Sequence, residues 1–259
     1  MTVTTGSATR WGPIWGARAH DWARSEEQQL PTYEAAIEKV GIGSGTRVLE
    51  VGCGTGVFLR AAADRGANVT GLDASTELIA LAWQRVPEAD LHVGEMEALP
   101  FADDSFDVVA GFNAFFFADD MVAALREAGR VARPGASVVV QVWGNPEHCD
   151  LDPLKHALGQ FLPPRPPSGP GLWEAGVLEG IVEEAGLSPV ETFDISWPFR
   201  YTDEDELARD LLAPALSVLA VEQVGEEAVR AAIVESLEPY RSDSGYELEN
   251  EWHFVIASA

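Results

Sequence analysis

The chain has 259 residues, 46% of them hydrophobic, which suits one large domain or one domain with a lid and allows a substantial core. Lysine and arginine number 17 against 42 aspartates and glutamates, a formal net charge of −25. A surface of that sign repels phosphate backbones and anionic membranes, so neither nucleic acid nor a membrane is an expected partner. No apolar run is long enough to span a bilayer, and residues 1–10 lack the basic start and apolar stretch of a secretion signal, so a cytoplasmic protein is expected. Two cysteines, Cys53 and Cys149, are too few for a disulfide framework and read as ordinary thiols, and no metal-ligand cluster is apparent. The acidic runs at 202–210, 222–227 and 246–251 read as solvated faces.

In chain order, residues 1–40 are expected to form an N-terminal helical cap, 41–145 a ligand-binding core, and 146–259 a lid together with strands that complete a sheet. Within the core, Arg47–Val51 is a short apolar strand, 57–65 an alanine-rich helix, Asn68–Asp73 a second strand and 76–86 a helix ended by Pro87. Strands are predicted at 91–93 and 106–111. The helix at 119–132 carries Met121, Val122, Leu125, Ala128 and Val131 at helical spacing and stops at Arg133-Pro134-Gly135. Ser137–Trp143 is a fifth strand with a continuous apolar run at its centre, Val138–Val140, as in a strand covered on both faces. Strands separated by helices imply right-handed crossovers and a parallel sheet. Residues 161–171, rich in proline and glycine, read as a loop dividing the chain. Beyond it, helices are expected at 173–185, 203–221 and Glu226–Leu237. A strand is expected at 187–195 and a last one at 249–257, where Trp252, Phe254 and Ile256 alternate.

The chemistry concentrates where the first strand runs into Gly52-Cys53-Gly54-Thr55-Gly56 and a helix follows. Glycine permits otherwise forbidden backbone angles and close ligand approach, and a helix N-terminus offers unpaired N–H groups suited to a carboxylate or phosphate. The spacing G-x-G-x-G is one residue tighter than the dinucleotide fingerprint. Glu50, at the end of the strand, would oppose a pyrophosphate but suits an ammonium group. Asp73 ends the second strand, where a carboxylate can accept bonds from both ribose hydroxyls. Glu95-Met96, after the third, pairs an acceptor for an adenine amino group with an apolar neighbour for the ring. Amino acid, ribose and adenine are the parts of S-adenosylmethionine.

On Val48–Gly56, Gly71-Leu72-Asp73, Glu95–Phe101, Ser105–Val109 and Arg126–Gly135, the sequence resembles the class I S-adenosylmethionine-dependent methyltransferases. It resembles more narrowly the small-molecule branch that includes ubiquinone and menaquinone biosynthesis methyltransferases. The resemblance covers roughly residues 45 to 143. It implies an α/β fold: a Rossmann-like, seven-stranded, mostly parallel sheet with helices on both faces and a helical lid. It implies S-adenosylmethionine as cofactor and a small-molecule acceptor, whose methylated atom could be oxygen, nitrogen or carbon. Carried over by position, Gly52, Cys53, Gly54 and Gly56 would wrap the methionine part, with Glu50 orienting the loop. Asp73 would hold the ribose, with Ala74 against the adenine. Glu95, where the family usually has Asp, would reach the adenine amino group beside Met96, and Phe112, Asn113 and Phe117 would border the methionine end. Trp22, in Ala19-His20-Asp21-Trp22, matches the aromatic that closes over the cofactor in many members.

Displacement at a sulfonium methyl needs alignment of the acceptor, and a base helps if the acceptor is a hydroxyl or an acidic carbon. His148, after the fifth strand, and His20, in the cap, are the candidate bases; His92 reads as structural and His253 as packed or solvent-facing. The aromatics Phe112, Phe115, Phe116 and Phe117, with Trp11, Trp15, Trp143 and Trp173, read either as core or as an apolar substrate pocket. A nicotinamide-dependent oxidoreductase and a non-catalytic S-adenosylmethionine-binding protein are the alternative readings.

Overall fold

A computed structural model describes residues 6–164 and 169–259. Positions 165–168 of the expected dividing loop lie outside the described residues. The strands are β1 (Arg47–Val51), β2 (Asn68–Asp73), β3 (Asp90–Val93), β4 (Phe106–Phe112), β5 (Ala132–Trp143), β6 (Ser188–Tyr201), a two-residue β7 (Arg241–Ser242) and β8 (Gly245–Ser258). They form one sheet in the order β3-β2-β1-β4-β5-β8-β6, with β7 paired to β8. The pairs β1–β2, β1–β4, β2–β3 and β4–β5 are parallel, whereas β8 runs antiparallel to both β5 and β6. The seven-stranded, mostly parallel sheet is therefore present, with β7 as a short addition.

Alternation along the central strands divides the core into two layers. Val48, Val108, Ala110, Val139, Phe254 and Ile256 enter one cluster; Leu49, Val51, Val109, Val138, Val140 and Val255 enter the other. Successive strand side chains point to opposite faces, so a strand covered on both sides is apolar along most of its length. The first layer is covered by α3 (Leu30–Val40), α4 (Val57–Ala63), α7 (Asp152–Gly159), α9 (Glu204–Leu211) and α11 (Glu226–Leu237); the second by α6 (Met121–Val131) and α8 (Val177–Glu184). The edge strand β6 is mostly solvent-facing and carries Pro189, Glu191, Asp194 and Pro198, residues that blunt edge-to-edge pairing. Among the described residues no helix is long and apolar enough to cross a membrane.

Several boundaries differ from the sequence reading. Pro214 divides the helix expected at 203–221 into α9, capped by the Asp203 side chain on the Glu206 N–H, and α10 (Ala215–Val224). The helix expected at 173–185 begins only at Val177, because Gly176 enters it at φ +82°. Strand β5 starts at Ala132 instead of 137, with a register shift against β4 that absorbs Arg133-Pro134-Gly135. Strand β6 runs on to Tyr201, and α7 was not anticipated.

Two short helices, α1 (Ser7–Gly16) and α2 (Ala19–Glu27), lead into α3. Helix α1 rests on the loop joining β2 to α5 (Thr76–Arg85): a Cβ at Gly12 would lie 2.4 Å from the Ala74 carbonyl oxygen. The sheet order reverses between β1 and β4, and α/β folds bind ligands in the crevice outside the strand C-termini at such a switch point.

Candidate active site

At that switch point the loops and the cap enclose a cavity of about 360 Å³. Trp22, Gly52, Gly54, Asp73, Ala74, Glu95, Met96, Phe112, Asn113 and Phe117 all line it. Glu50, Cys53 and Gly56 do not. Cys53 packs under the loop, its Sγ 2.8 Å from where a Gly71 Cβ would stand, and burial pushes its thiol up. Gly56 enters α4 at φ +80° and lets α5 approach, a Cβ there lying 3.3 Å from the Ala82 Cβ. Its role is backbone geometry and packing.

The expected free N–H groups of the glycine loop are all used internally. Gly52 and Cys53 donate to the Leu72 carbonyl and Gly56 to the Cys53 carbonyl. Gly54 donates to Asp73 Oδ2 at 2.9 Å, and Thr55 donates through both its N–H (2.9 Å) and its hydroxyl (2.7 Å) to Glu26 Oε2. Glu26, from α2, therefore fills the place where an incoming carboxylate was expected. Arg85 completes the chain by donating to Thr55 Oγ1 at 2.8 Å.

Three carboxylates meet here. Glu26 is 3%, Glu50 2% and Asp73 8% exposed. Burial raises Glu26 to about 7 against hydrogen bonds from Thr55 that lower it. Burial raises Asp73 to about 6, although Ser75 and Gly54 N–H groups oppose the shift. Glu50 is raised well above the usual range by burial, then by the charges of Glu26 and Asp73, and its Oε2 has no partner. Such a cluster is stabilised by a cation and destabilised by a phosphate.

Glu95 has protein partners of its own. Its carboxylate accepts from the Ser7 hydroxyl and the Ala8 N–H, both at 2.7 Å, so it ties down the start of α1 while lining the cavity. Above lies an aromatic roof. Trp22 meets Trp15 edge-on with centroids 4.7 Å apart, Trp15 meets Phe117 at 5.5 Å, and Trp11 meets Phe117 at 4.8 Å. Phe115 instead lies in the core beneath Gly111, and Trp173 packs on Gly171 outside the cavity.

Neither candidate base reaches the cavity. His20 is exposed on α2, and His148, 58% exposed, pairs Nδ1 with Glu251 Oε2 at 2.7 Å. His253 is buried and pairs with Asp194 at 2.6 Å, and His92 lies beside Asp90 and edge-on to Phe101. Among the described residues no cluster of His, Cys, Asp and Glu could hold a metal ion.

Missed by the sequence reading are Ser25, Glu26, Gln29 and Tyr33, which line the cavity from the cap, and Lys155 from α7. Their signal was present: Trp22, Ser25, Glu26, Gln29 and Tyr33 follow helical spacing, but a polar stripe of that kind ordinarily reads as a solvated face.

The pattern of the Methyltransferase domain family matches residues 49–140. An uncharacterized protein of Mycobacterium tuberculosis is 30% identical over 257 residues, covering 91% of this chain and 88% of its own. Demethylmenaquinone methyltransferase of Renibacterium salmoninarum is 37% identical over 110 residues, 42% of this chain and 46% of that enzyme. The chain belongs to the class I S-adenosylmethionine-dependent methyltransferases. S-adenosylmethionine is the methyl donor of this methyltransferase. The fold agrees: phosphoethanolamine N-methyltransferase 2 of Haemonchus contortus, solved with S-adenosylhomocysteine, superposes with a TM-score of 0.55 at 20% identity, covering 88% of this chain and 52% of that one.

Proposed function

We propose that the methyltransferase acts on a small, largely apolar acceptor and holds its methyl donor across the switch point. The observation that carries the cofactor assignment is the buried trio Glu26, Glu50 and Asp73 beside a glycine loop with no spare N–H group. That electrostatic setting fits a ligand that brings an ammonium and a sulfonium, and it disfavours the pyrophosphate of a nicotinamide dinucleotide. Bound there, the donor supplies a methyl group already activated for displacement.

Asp73 retains lone pairs on both carboxylate oxygens beyond the two N–H bonds it accepts, which suits a ribose diol. Ala74 and Met96 would flank the adenine, with Trp22 and Phe117 closing from above. Glu95 would reach an adenine amino group only by sharing oxygens already engaged by Ser7 and Ala8. Asn113 lines the methionine end; its Nδ2 donates to Gln29 Oε1 at 3.2 Å and its Oδ1 has no partner, leaving an acceptor for the amino acid part.

Past these residues the cavity continues into an apolar wall of Phe116, Trp143, Leu154, Leu158, Phe199 and Leu216. A pocket of this character fits an apolar acceptor, and aligning it behind the methyl group can supply about 7–11 kcal/mol of the barrier reduction. Calorimetry with S-adenosylmethionine and S-adenosylhomocysteine is the test. Both should bind, NAD should not, and Asp73→Ala should weaken both by about tenfold or more, given a hydrogen-bond pair to a charged group. A folded protein that binds neither sulfur ligand would overturn the site assignment.

A further inference from the structure

The wall opposite the carboxylates contains one group out of place. Along α7 and its N-terminal flank, Leu151, Leu154, Lys155 and Leu158 follow the spacing of a single helix face and all line the cavity. The three leucines are buried. Lys155, on the same face, is the only cationic side chain among the described residues that line the cavity. Its Nζ sits 4.6 Å from the centre of the Trp143 ring and makes no ion pair or hydrogen bond with a described residue. Asp152, one turn earlier, is engaged with His156 at 3.1 Å. Lys155 is half-buried, and its ammonium keeps a cation–π contact with the indole while none of its three N–H donors meets an acceptor on a described residue; the charge of Asp152 acts on it without an ion pair. Burial accordingly lowers its basicity.

The sheet order indicates which ligand this cation faces. Glu50 and Asp73 lie at the C-terminal ends of β1 and β2, Glu95 follows β3, and Asn113 follows β4. Lys155 lies over Trp143, which ends β5, one strand further along. The cofactor's cationic end is matched by acids on the first side, and the lone cation stands on the other.

We propose that Lys155 is the specificity residue of the acceptor subsite, and that the acceptor is an apolar molecule carrying an acidic group, a carboxylate or an ionised hydroxyl, which pairs with Lys155 Nζ. This rests on the methyl-transfer reading and extends it to the class of acceptor. An anion entering this pocket would give the half-buried ammonium the acceptor that no described residue supplies. A neutral acceptor of the same shape leaves the charge unpaired, and truncating one partner of a buried charge pair is costly.

The test uses 2-naphthoate and its neutral counterpart 2-naphthylmethanol as probes. Their binding to the full chain is measured by calorimetry with and without S-adenosylhomocysteine. Wild type should prefer the acid by about tenfold to a hundredfold, the range expected of hydrogen bonds to charged groups. Lys155→Met should abolish that preference while binding the alcohol as before, and Lys155→Arg should keep most of it. Equal affinity for the two probes, no binding of the acid, or a preference that survives in Lys155→Met overturns the proposal. So does a matching loss of S-adenosylhomocysteine affinity in Lys155→Met, which would assign the lysine to the cofactor's carboxylate. Failure of wild type to bind S-adenosylhomocysteine strikes the methyl-transfer reading instead, and is read independently of the probes.

Discussion

At the level of single residues, the buried acids Glu26, Glu50 and Asp73 stand out. Glu26 was invisible in the sequence because one glutamate on an acidic helix ordinarily faces water. Its value of about 7 means that the folded chain keeps a proton there which the unfolded chain releases near its ordinary 4.5. The stability that this proton contributes is complete below the unfolded value and is lost as the pH rises through 7. Asp73 adds in the same direction up to about 6. Glu26→Gln cannot ionise, so its melting temperature without ligand should fall less than that of wild type between about pH 5 and about pH 8. Identical falls in the two proteins would remove Glu26 from this account. The histidines teach the converse: His148 lies close in sequence to the fifth strand's end, as a base should, yet its ring turns to Glu251 on β8.

Among the elements, α1 covers the site and lines it with Ser7, Ala8, Trp11 and Trp15. Its glycines are a packing device: Gly12 faces the Ala74 carbonyl, and a Cβ at Gly16 would lie 2.8 Å from Ser75 Oγ. Alanine is a better helix former than glycine by about 1 kcal/mol, so on propensity alone Gly12→Ala should stabilise α1. Contact with a backbone oxygen at 2.4 Å reverses that expectation, because the helix must lift off the β2–α5 loop. Gly12→Ala should therefore raise the Kd for S-adenosylmethionine by about tenfold, with less effect on the melting of the sheet core. Unchanged cofactor affinity would show that α1 can lift without opening the cavity. Pro214 gives a related lesson: the apolar pattern continues across 203–221, but a proline in the interior removes an N–H and breaks the helix in two.

Across the whole molecule, the charge of −25 acts through self-repulsion. Many surface acids have a basic partner, as in Arg130 with Asp103 and Glu127, but acids outnumber bases 42 to 17. Raising the salt from about 10 mM to about 0.5 M shortens the screening length from about 30 Å to a few ångströms and should raise the melting temperature. A melting temperature that falls with salt would mean that the surface ion pairs outweigh the repulsion. The same excess leaves Lys155 conspicuous, because few basic groups exist to be spared for a cavity wall.

The parallel core was legible in the sequence because its signals are local. Apolar runs such as Val138–Val140 report burial on both faces, glycines at 52, 54 and 56 report backbone angles only glycine tolerates readily, and all three adopt positive φ. Asp73 and Met96 could be placed near one another because the order of loops in this fold follows the order of strands, and the family resemblance set Ala74, Asn113 and Trp22 beside them; all five line one cavity. What the sequence could not decide was anything carried by packing between distant segments: that Glu26 would cap the glycine loop across 29 residues, that Glu95 would be claimed by the start of α1, and that α7 would turn Lys155 inward beside Trp143. A polar side chain on an amphipathic helix has the same local pattern whether it faces water or a cavity. Only the tertiary arrangement of the neighbouring elements determines which one it meets.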